Sequence, residues 1–255
     1  MTRLKSHHPS LVRTTSALLF ALSVASLAHA DTAPVADEQW HGAMSLGAAN
    51  ASGNTNSTNV TGTLDLHRLT STDKITLYSY ANYASSKVDG TKTTSANSLR
   101  LGGRYDYNLT PAAFLFTTAE GETNKAADLR SRYSAAVGAG YKLINTETDT
   151  FNIFGGAGGA RTEYTTGLSS TGAELYLGEE STHKLSSTTS VNQRLAIHPS
   201  GGDRGTLSTF DAGLATKVLG GWTVNTGLSA RHQTQQLVGT KSTDTLLTVR
   251  FGYKF

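Results

Sequence analysis

The chain of 255 residues has no cysteine. That excludes disulfides, thiolate metal sites and a lipidated N-terminal cysteine. Proline is scarce: Pro9 and Pro34 precede the patterned region, and Pro111 and Pro199 fall at turns, where a missing amide donor does no harm to a ladder. After residue 30 no apolar run approaches the ~20 residues that a membrane-spanning helix needs. Histidine beyond that point is limited to His41, His67, His183, His198 and His232. No two have metal-ligand spacing, so neither a metal nor a cofactor is expected. Excess charge is missing too. The formal +3 is carried by Arg3, Lys5 and Arg13; without them, 22 basic residues become 19, against 19 acids. A neutral chain gives no reason to expect a nucleic-acid partner.

What is present begins with a leader. Arg3, Lys5 and Arg13 precede a short apolar run, Ala17 to Leu27, and Ala28-His29-Ala30 supplies small residues at Ala28 and Ala30 before Asp31. This is the pattern of a cleaved secretory signal peptide over residues 1–30. Residues 31–39 then read as a short lead-in, and 40–255 as one domain.

Within that domain Gly, Thr, Ser, Asn and Tyr dominate, and the mean hydropathy of the whole chain is only −0.28. Alternating strands with a polar lumen hide their hydrophobicity from such averages. The last strand shows the pattern best. Leu247, Val249, Phe251, Tyr253 and Phe255 alternate with Thr248, Arg250, Gly252 and Lys254, the period of a strand with one apolar and one polar face. It resembles the closing strand of a bacterial outer-membrane barrel. Phe251, Tyr253 and Phe255 resemble the terminal signal read by the barrel-assembly machinery.

Turn residues divide the domain into twelve strands, near 41–51, 57–68, 74–85, 94–107, 112–123, 127–142, 150–163, 172–180, 185–198, 206–218, 222–236 and 244–255. The expected fold is all-β: a single antiparallel transmembrane barrel of about twelve strands. Its inner turns, such as Asn108–Pro111 and Leu219–Gly221, are short. The outer links Ser86–Thr93, Tyr164–Thr171 and Pro199–Gly205 are longer, the asymmetry of outer-membrane barrels. Trp40, Tyr105, Tyr107, Tyr141, Trp222, Tyr253 and Phe255 would form an aromatic girdle at the inner interface. Strands five and seven stay ambiguous, because Phe114 and Phe116 compete with Leu115, and Phe151 and Ile153 with Phe154.

The segment Ala51-Ser52-Gly53-Asn54-Thr55-Asn56, the run Leu99 to Tyr107, and Leu129-Arg130-Ser131-Arg132-Tyr133 with Gly138-Ala139-Gly140-Tyr141 resemble the salt-induced outer-membrane protein family, domain of unknown function 481. The resemblance runs from Trp40 to Phe255. It implies a monomeric barrel in the outer membrane, in contact with lipid and lipopolysaccharide, with an envelope or stress-related role and no established activity. The position after the SGNT turn, often acidic in that family, is Asn56 here.

Placing the apolar rows toward lipid turns a charged set inward, since Arg or Lys on the lipid face near the midplane costs ~2–4 kcal/mol. Arg100 and Arg104 fall on strand four, Glu120 and Glu122 on strand five, and Arg130 and Arg132 on strand six: a ladder across three neighbouring strands. Asp65, His67, Asp106, Asp128, Glu174, Arg194, Asp211, Arg231 and Arg250 are further inward candidates. Such a ladder either ties strands together and fills the lumen, or forms a charged constriction that selects small solutes. Two alternatives stand beside this non-enzymatic reading. One is an outer-membrane hydrolase, for which His183 near Ser181 and His198 near Ser200 are the local pairs and no nucleophile motif is present. The other is a soluble secreted β-barrel binding protein. Gly155 to Gly159 lacks the Lys-Ser/Thr of a phosphate loop and lies within a strand pattern, so packing room explains it better.

Overall fold

The computed structural model describes residues 36–51, 56–88, 91–201, 205–235 and 242–255. The expected signal peptide, with Ala28 and Ala30, lies outside the described residues, as do Ser52 to Thr55 of the SGNT turn. The strands are β1 Trp40–Ala51, β2 Asn56–Leu69, β3 Asp73–Val88, β4 Thr91–Asn108, β5 Ala113–Asn124, β6 Leu129–Asn145, β7 Asp149–Tyr164, β8 Ser169–Lys184, β9 Thr189–Pro199, β10 Thr206–Leu219, β11 Trp222–Gln233 and β12 Thr243–Lys254. Each pairs antiparallel with its chain neighbours, and β1 pairs with β12, so one closed barrel of twelve strands results. Closure removes free sheet edges, the condition for a sheet to face lipid.

Period-two alternation decides which side chains face out. On β4, Leu99, Leu101, Tyr105 and Tyr107 are exposed outward while Arg104 and Asp106 are buried inside. On β12, Leu247, Val249, Phe251 and Tyr253 point outward, and Thr248 and Arg250 point inward. At the end that carries Trp40 and Phe255, here the terminal end, Trp40, Tyr105, Tyr107, Tyr141, Trp222, Tyr253 and Phe255 are all exposed on the outer wall. Trp222 stacks on Phe251, with ring centroids 5.0 Å apart, and meets Tyr253 edge-on.

The ambiguous strands resolve with Phe114, Phe116 and Phe154 inside, while Phe151 shares the outward face of Ile153. Phe114 and Phe116 share the inward face of β5 with Glu120 and Glu122; on β7 Phe154 is buried, and Ile153 is exposed outward. Glycines on the facing strands make this possible. A side chain at Gly140 would collide with Phe114, one at Gly138 with Phe116, and one at Gly178 with Phe154. The glycine run on β7 also gives packing room, since a side chain at Gly156 or Gly158 would run into the carbonyl of Val137 or Ala135.

Four turns at the terminal end share a device. Thr70, Thr110, Thr146 and Ser186 each accept the backbone N–H of the residue three positions on, at 3.0, 2.9, 2.9 and 3.0 Å. A hydroxyl that replaces a backbone acceptor closes a tight turn. This device moves the eighth turn to Leu185–Thr188, so β8 extends to Lys184 and β9 begins at Thr189, not at 185. The fifth such turn uses Gly220 at φ 56. At the other end, the expected long link Ser86–Thr93 is mostly strand, because β3 runs to Val88 and β4 starts at Thr91. Strand six does not start at 127. Lys125–Ala127 is a 3-10 turn, ended by Asp128 in the left-handed region.

Candidate functional site: the barrel lumen

Two ion pairs join strands that are six places apart in a ring of twelve, and therefore opposite one another. Arg100 on β4 reaches Asp211 on β10 (Nη1 to Oδ2, 3.7 Å), and Glu122 on β5 accepts a 2.7 Å hydrogen bond from Arg231 on β11. A third contact has the same span: the Arg194 guanidinium of β9 lies 5.8 Å from the ring centre of Tyr78 on β3. These side chains form bars across the lumen. Arg100 also approaches Glu120 and Glu122, at 3.9 and 3.7 Å, and Glu120 accepts the Tyr78 hydroxyl at 2.7 Å. A charged, partly desolvated cluster of this kind is stable only while its members stay paired.

The bars separate two unlike walls. Along β4 to β9, Phe114, Phe116, Phe154, Tyr176, Ala136 and Ala196 pack into a buried cluster. Arg104 is inserted into it, its guanidinium 4.5 to 5.3 Å from the centres of Phe154, Phe116 and Phe114. Its Nε donates to Asp106 Oδ1 at 2.6 Å, and Nη1 lies 3.5 Å from Glu180. Cation–π contact and ion pairing together hold a charge whose side chain is 2% exposed. Above it, toward the loop end, Arg132 grips both oxygens of Glu174, at 2.9 and 2.6 Å, and His198 Nδ1 lies 3.2 Å from the same carboxylate.

Along β10 to β3 the inward groups are polar, and many of them are small. Ser45 bonds Thr63 at 2.7 Å, Thr61 bonds Asn82 at 3.2 Å, and Asn225 donates to Thr223 at 2.9 Å. Arg250 donates to Ser45 at 3.1 Å. Ser229 donates a short hydrogen bond to Asp211. Asp65 faces inward and yet remains exposed. Ser45, Thr61, Asn82 and Thr223 are themselves buried in these contacts, so this side of the lumen is lined by hydrogen-bonded polar groups where the other is packed with rings.

The six residues of the expected ladder are placed as follows. Arg100, Glu120 and Glu122 come together. Arg104 sits on the same face of β4 but pairs with Asp106 and Glu180. Arg132 is buried and pairs with Glu174. Arg130 does not face inward: a register shift between Leu129 and Ser131 takes it out of the ladder, Leu129 is buried in its place, and Arg130 is exposed. Asp128 likewise leaves the lumen and, from its turn, accepts Thr165 Oγ1 at 2.7 Å. Phe251, Tyr253 and Phe255 lie on the outer wall at the terminal end.

Among the described residues no group of His, Asp and Glu is arranged to hold a metal. His183 bonds Asp149 at 2.5 Å and His198 bonds Glu174, so both histidines take a carboxylate partner. A cavity of ≈ 100 Å³ opens at the loop end, walled partly by polar groups such as Arg132, Glu174 and Arg231 and partly by apolar ones such as Leu129, Ala160 and Leu207.

The chain belongs to the DUF481 family: the family model, described as a protein of unknown function, matches residues 44–255. No curated protein matches it. Among solved structures, an outer membrane channel from Pseudomonas putida F1 is 14% identical, with 90% of this chain and all of that one covered and a TM-score of 0.52. The NanC porin (12% identical, 84% and 98% covered, TM-score 0.48) and the translocator domain of the autotransporter NalP from Neisseria meningitidis (14%, 85% and 86%, 0.45) are more distant in shape. At these identities the likeness is one of fold: a closed barrel of the outer-membrane type.

Proposed function

We propose that this barrel sits in the outer membrane and acts, without enzymatic chemistry, as a narrow channel for small polar solutes. The supporting observation is the set of bars between opposite strands. They lie against a packed aromatic wall on one side and a polar wall of hydroxyl and amide groups on the other. Charged groups of both signs at a constriction discriminate solutes by size and charge. In this reading the exposed outer rows contact lipid, the terminal girdle lies at the periplasmic interface, and Phe251, Tyr253 and Phe255 are presented to the assembly machinery. The stress-related role implied by the family resemblance would then be solute passage or wall stiffening under osmotic load.

Swelling of proteoliposomes tests the channel. Glycine-sized solutes should enter and trisaccharides should not. A correctly inserted barrel that passes neither would leave a purely structural role. The hydrolase reading has one contact in its favour, Asp149 with His183, two residues after Ser181 on the same outward face. Lipid turnover that Ser181→Ala abolishes would establish it in place of the channel.

A further inference from the structure

The seam that closes the barrel is short. β1 and β12 are in register only from Ala43/Lys254 to Leu46/Phe251. Both strands continue well beyond that point, each paired on its other side. β1 stays with β2 as far as Ala51/Ser57, and β12 stays with β11 as far as His232/Thr243. The last close approach is at Gly47, where a side chain would meet the Val249 carbonyl at 2.7 Å. Continued in register, the seam would add Gly47/Arg250, Ala48/Val249 and the pairs above them, and among the described residues none of these is a ladder pair. A slot therefore opens between Ala48 and Ala51 on one side and Thr243 and Val249 on the other.

Its position and lining are specific. Trp40 and Phe255 mark the girdle, and the apolar band of a barrel covers about 9–11 residues of a tilted strand. A slot that starts at Ala48 thus lies in the half of that band nearer the loops. Its outer lips, Leu46, Val249 and Leu247, are 72%, 67% and 70% exposed. Thr248 faces the lumen at the level of the slot, Thr61 stands at its closed end opposite Gly47, and the Ser45–Thr63 pair lies just below, all on the polar side of the lumen. Unpaired backbone N–H and C=O groups cannot face bare hydrocarbon. What satisfies the slot must bring hydrogen-bonding groups to its edges and apolar groups to its lips.

We infer that the β1–β12 slot is a lateral port through which a single-chain amphiphile, an alkyl chain with a small polar headgroup, passes between the outer leaflet and the lumen. The headgroup bonds the strand edges and the hydroxyl wall, while the chain stays against Leu46, Val249 and Leu247. The inference rests on the membrane placement proposed above, although not on conduction through the bars.

The absence of cysteine allows a clean test. Thr61→Cys places a thiol inside the lumen at the closed end of the slot, and Ala196→Cys places one at similar burial in the aromatic wall. Both variants in phosphatidylcholine vesicles would be treated with N-dodecylmaleimide, which partitions into the bilayer. Labelling of Thr61→Cys should be at least ten-fold faster. Equal rates in inserted protein would overturn the port. Failure to insert at all would instead overturn the membrane reading. A second measurement does not depend on Thr61. Spin labels at Ala48→Cys/Val249→Cys should give a longer and broader distance distribution than labels at Leu46→Cys/Phe251→Cys. Matching distributions would mean a closed seam and no port.

Discussion

The two walls of one lumen differ in how they are held. Between β4 and β9, aromatic rings fill the space left by glycines on facing strands, and Arg104 and Arg132 are locked by carboxylates. Between β10 and β3 there are short hydroxyl and amide contacts and an exposed inward Asp65. The first wall behaves as a core turned inside the barrel; the second is a hydrogen-bonded polar lining, which the proposed channel would use as its path. The same strand period produces both, and side-chain size at the inward positions makes the difference.

The sharpest way to break this contrast is to truncate each wall. Phe154→Ala should cost about 3–5 kcal/mol, because it empties a packed site that surrounding glycines cannot refill. Thr61→Ala, across the lumen, should cost only about 1 kcal/mol, the worth of one hydrogen bond. Urea unfolding from lipid vesicles, followed by the fluorescence of Trp40 and Trp222, would measure both. Equal losses would erase the distinction.

Next in size is the Arg132–Glu174 grip. Glu174→Ala leaves a buried guanidinium without its partner and should cost about 3 kcal/mol, near the lower end for a broken buried pair. A loss under about 1 kcal/mol would mean that water reaches Arg132 and that the aromatic wall is not dry.

Coupling between the bars should be smaller. Glu122→Gln combined with Arg231→Gln should recover about 1–2 kcal/mol relative to the sum of the single losses, as contacting charges do. Glu120→Gln with Arg104→Gln should be additive within about 0.5 kcal/mol, because Arg104 is paired with Asp106 and Glu180 instead. Coupling in the second pair without the first would restore a ladder between neighbouring strands.

The smallest effect lies outside both walls. Asp37 precedes β1 and is held below the usual carboxylate range by the Gln39 amide and by His41. A lowered value contributes stability that is present above the unfolded carboxylate range and is lost as pH falls through it. Asp37→Asn should therefore lower the melting temperature slightly at pH 7 and not at all in strong acid. A shift that grows on acidification would contradict that sign.

Much of this architecture is legible in the alternation of residues. Leu247 to Phe255 and Leu99 to Tyr107 carry their facing in plain period two, and Gly220-Gly221 marks its own turn. Phe114 and Phe116 were ambiguous because aromatics suit lipid and core equally; the deciding signal was on other strands, at Gly138 and Gly140. Arg130 was misplaced because one register shift reverses the facing of a residue that alternation puts inside. The bars were out of reach for a different reason. Asp211 and Arg231 are readable as inward charges, but which opposite residue each one meets depends on the closed ring and not on sequence spacing.

The central claim is that the bars, and not the aromatic wall, set the width of the path. Replacing Arg100, Asp211, Glu122 and Arg231 together with serine removes two pairs and leaves net charge unchanged. Single-channel conductance in planar bilayers should then rise several-fold over the unmodified barrel, with weaker ion selectivity. Conductance unchanged or lowered in a correctly folded quadruple variant would contradict the claim.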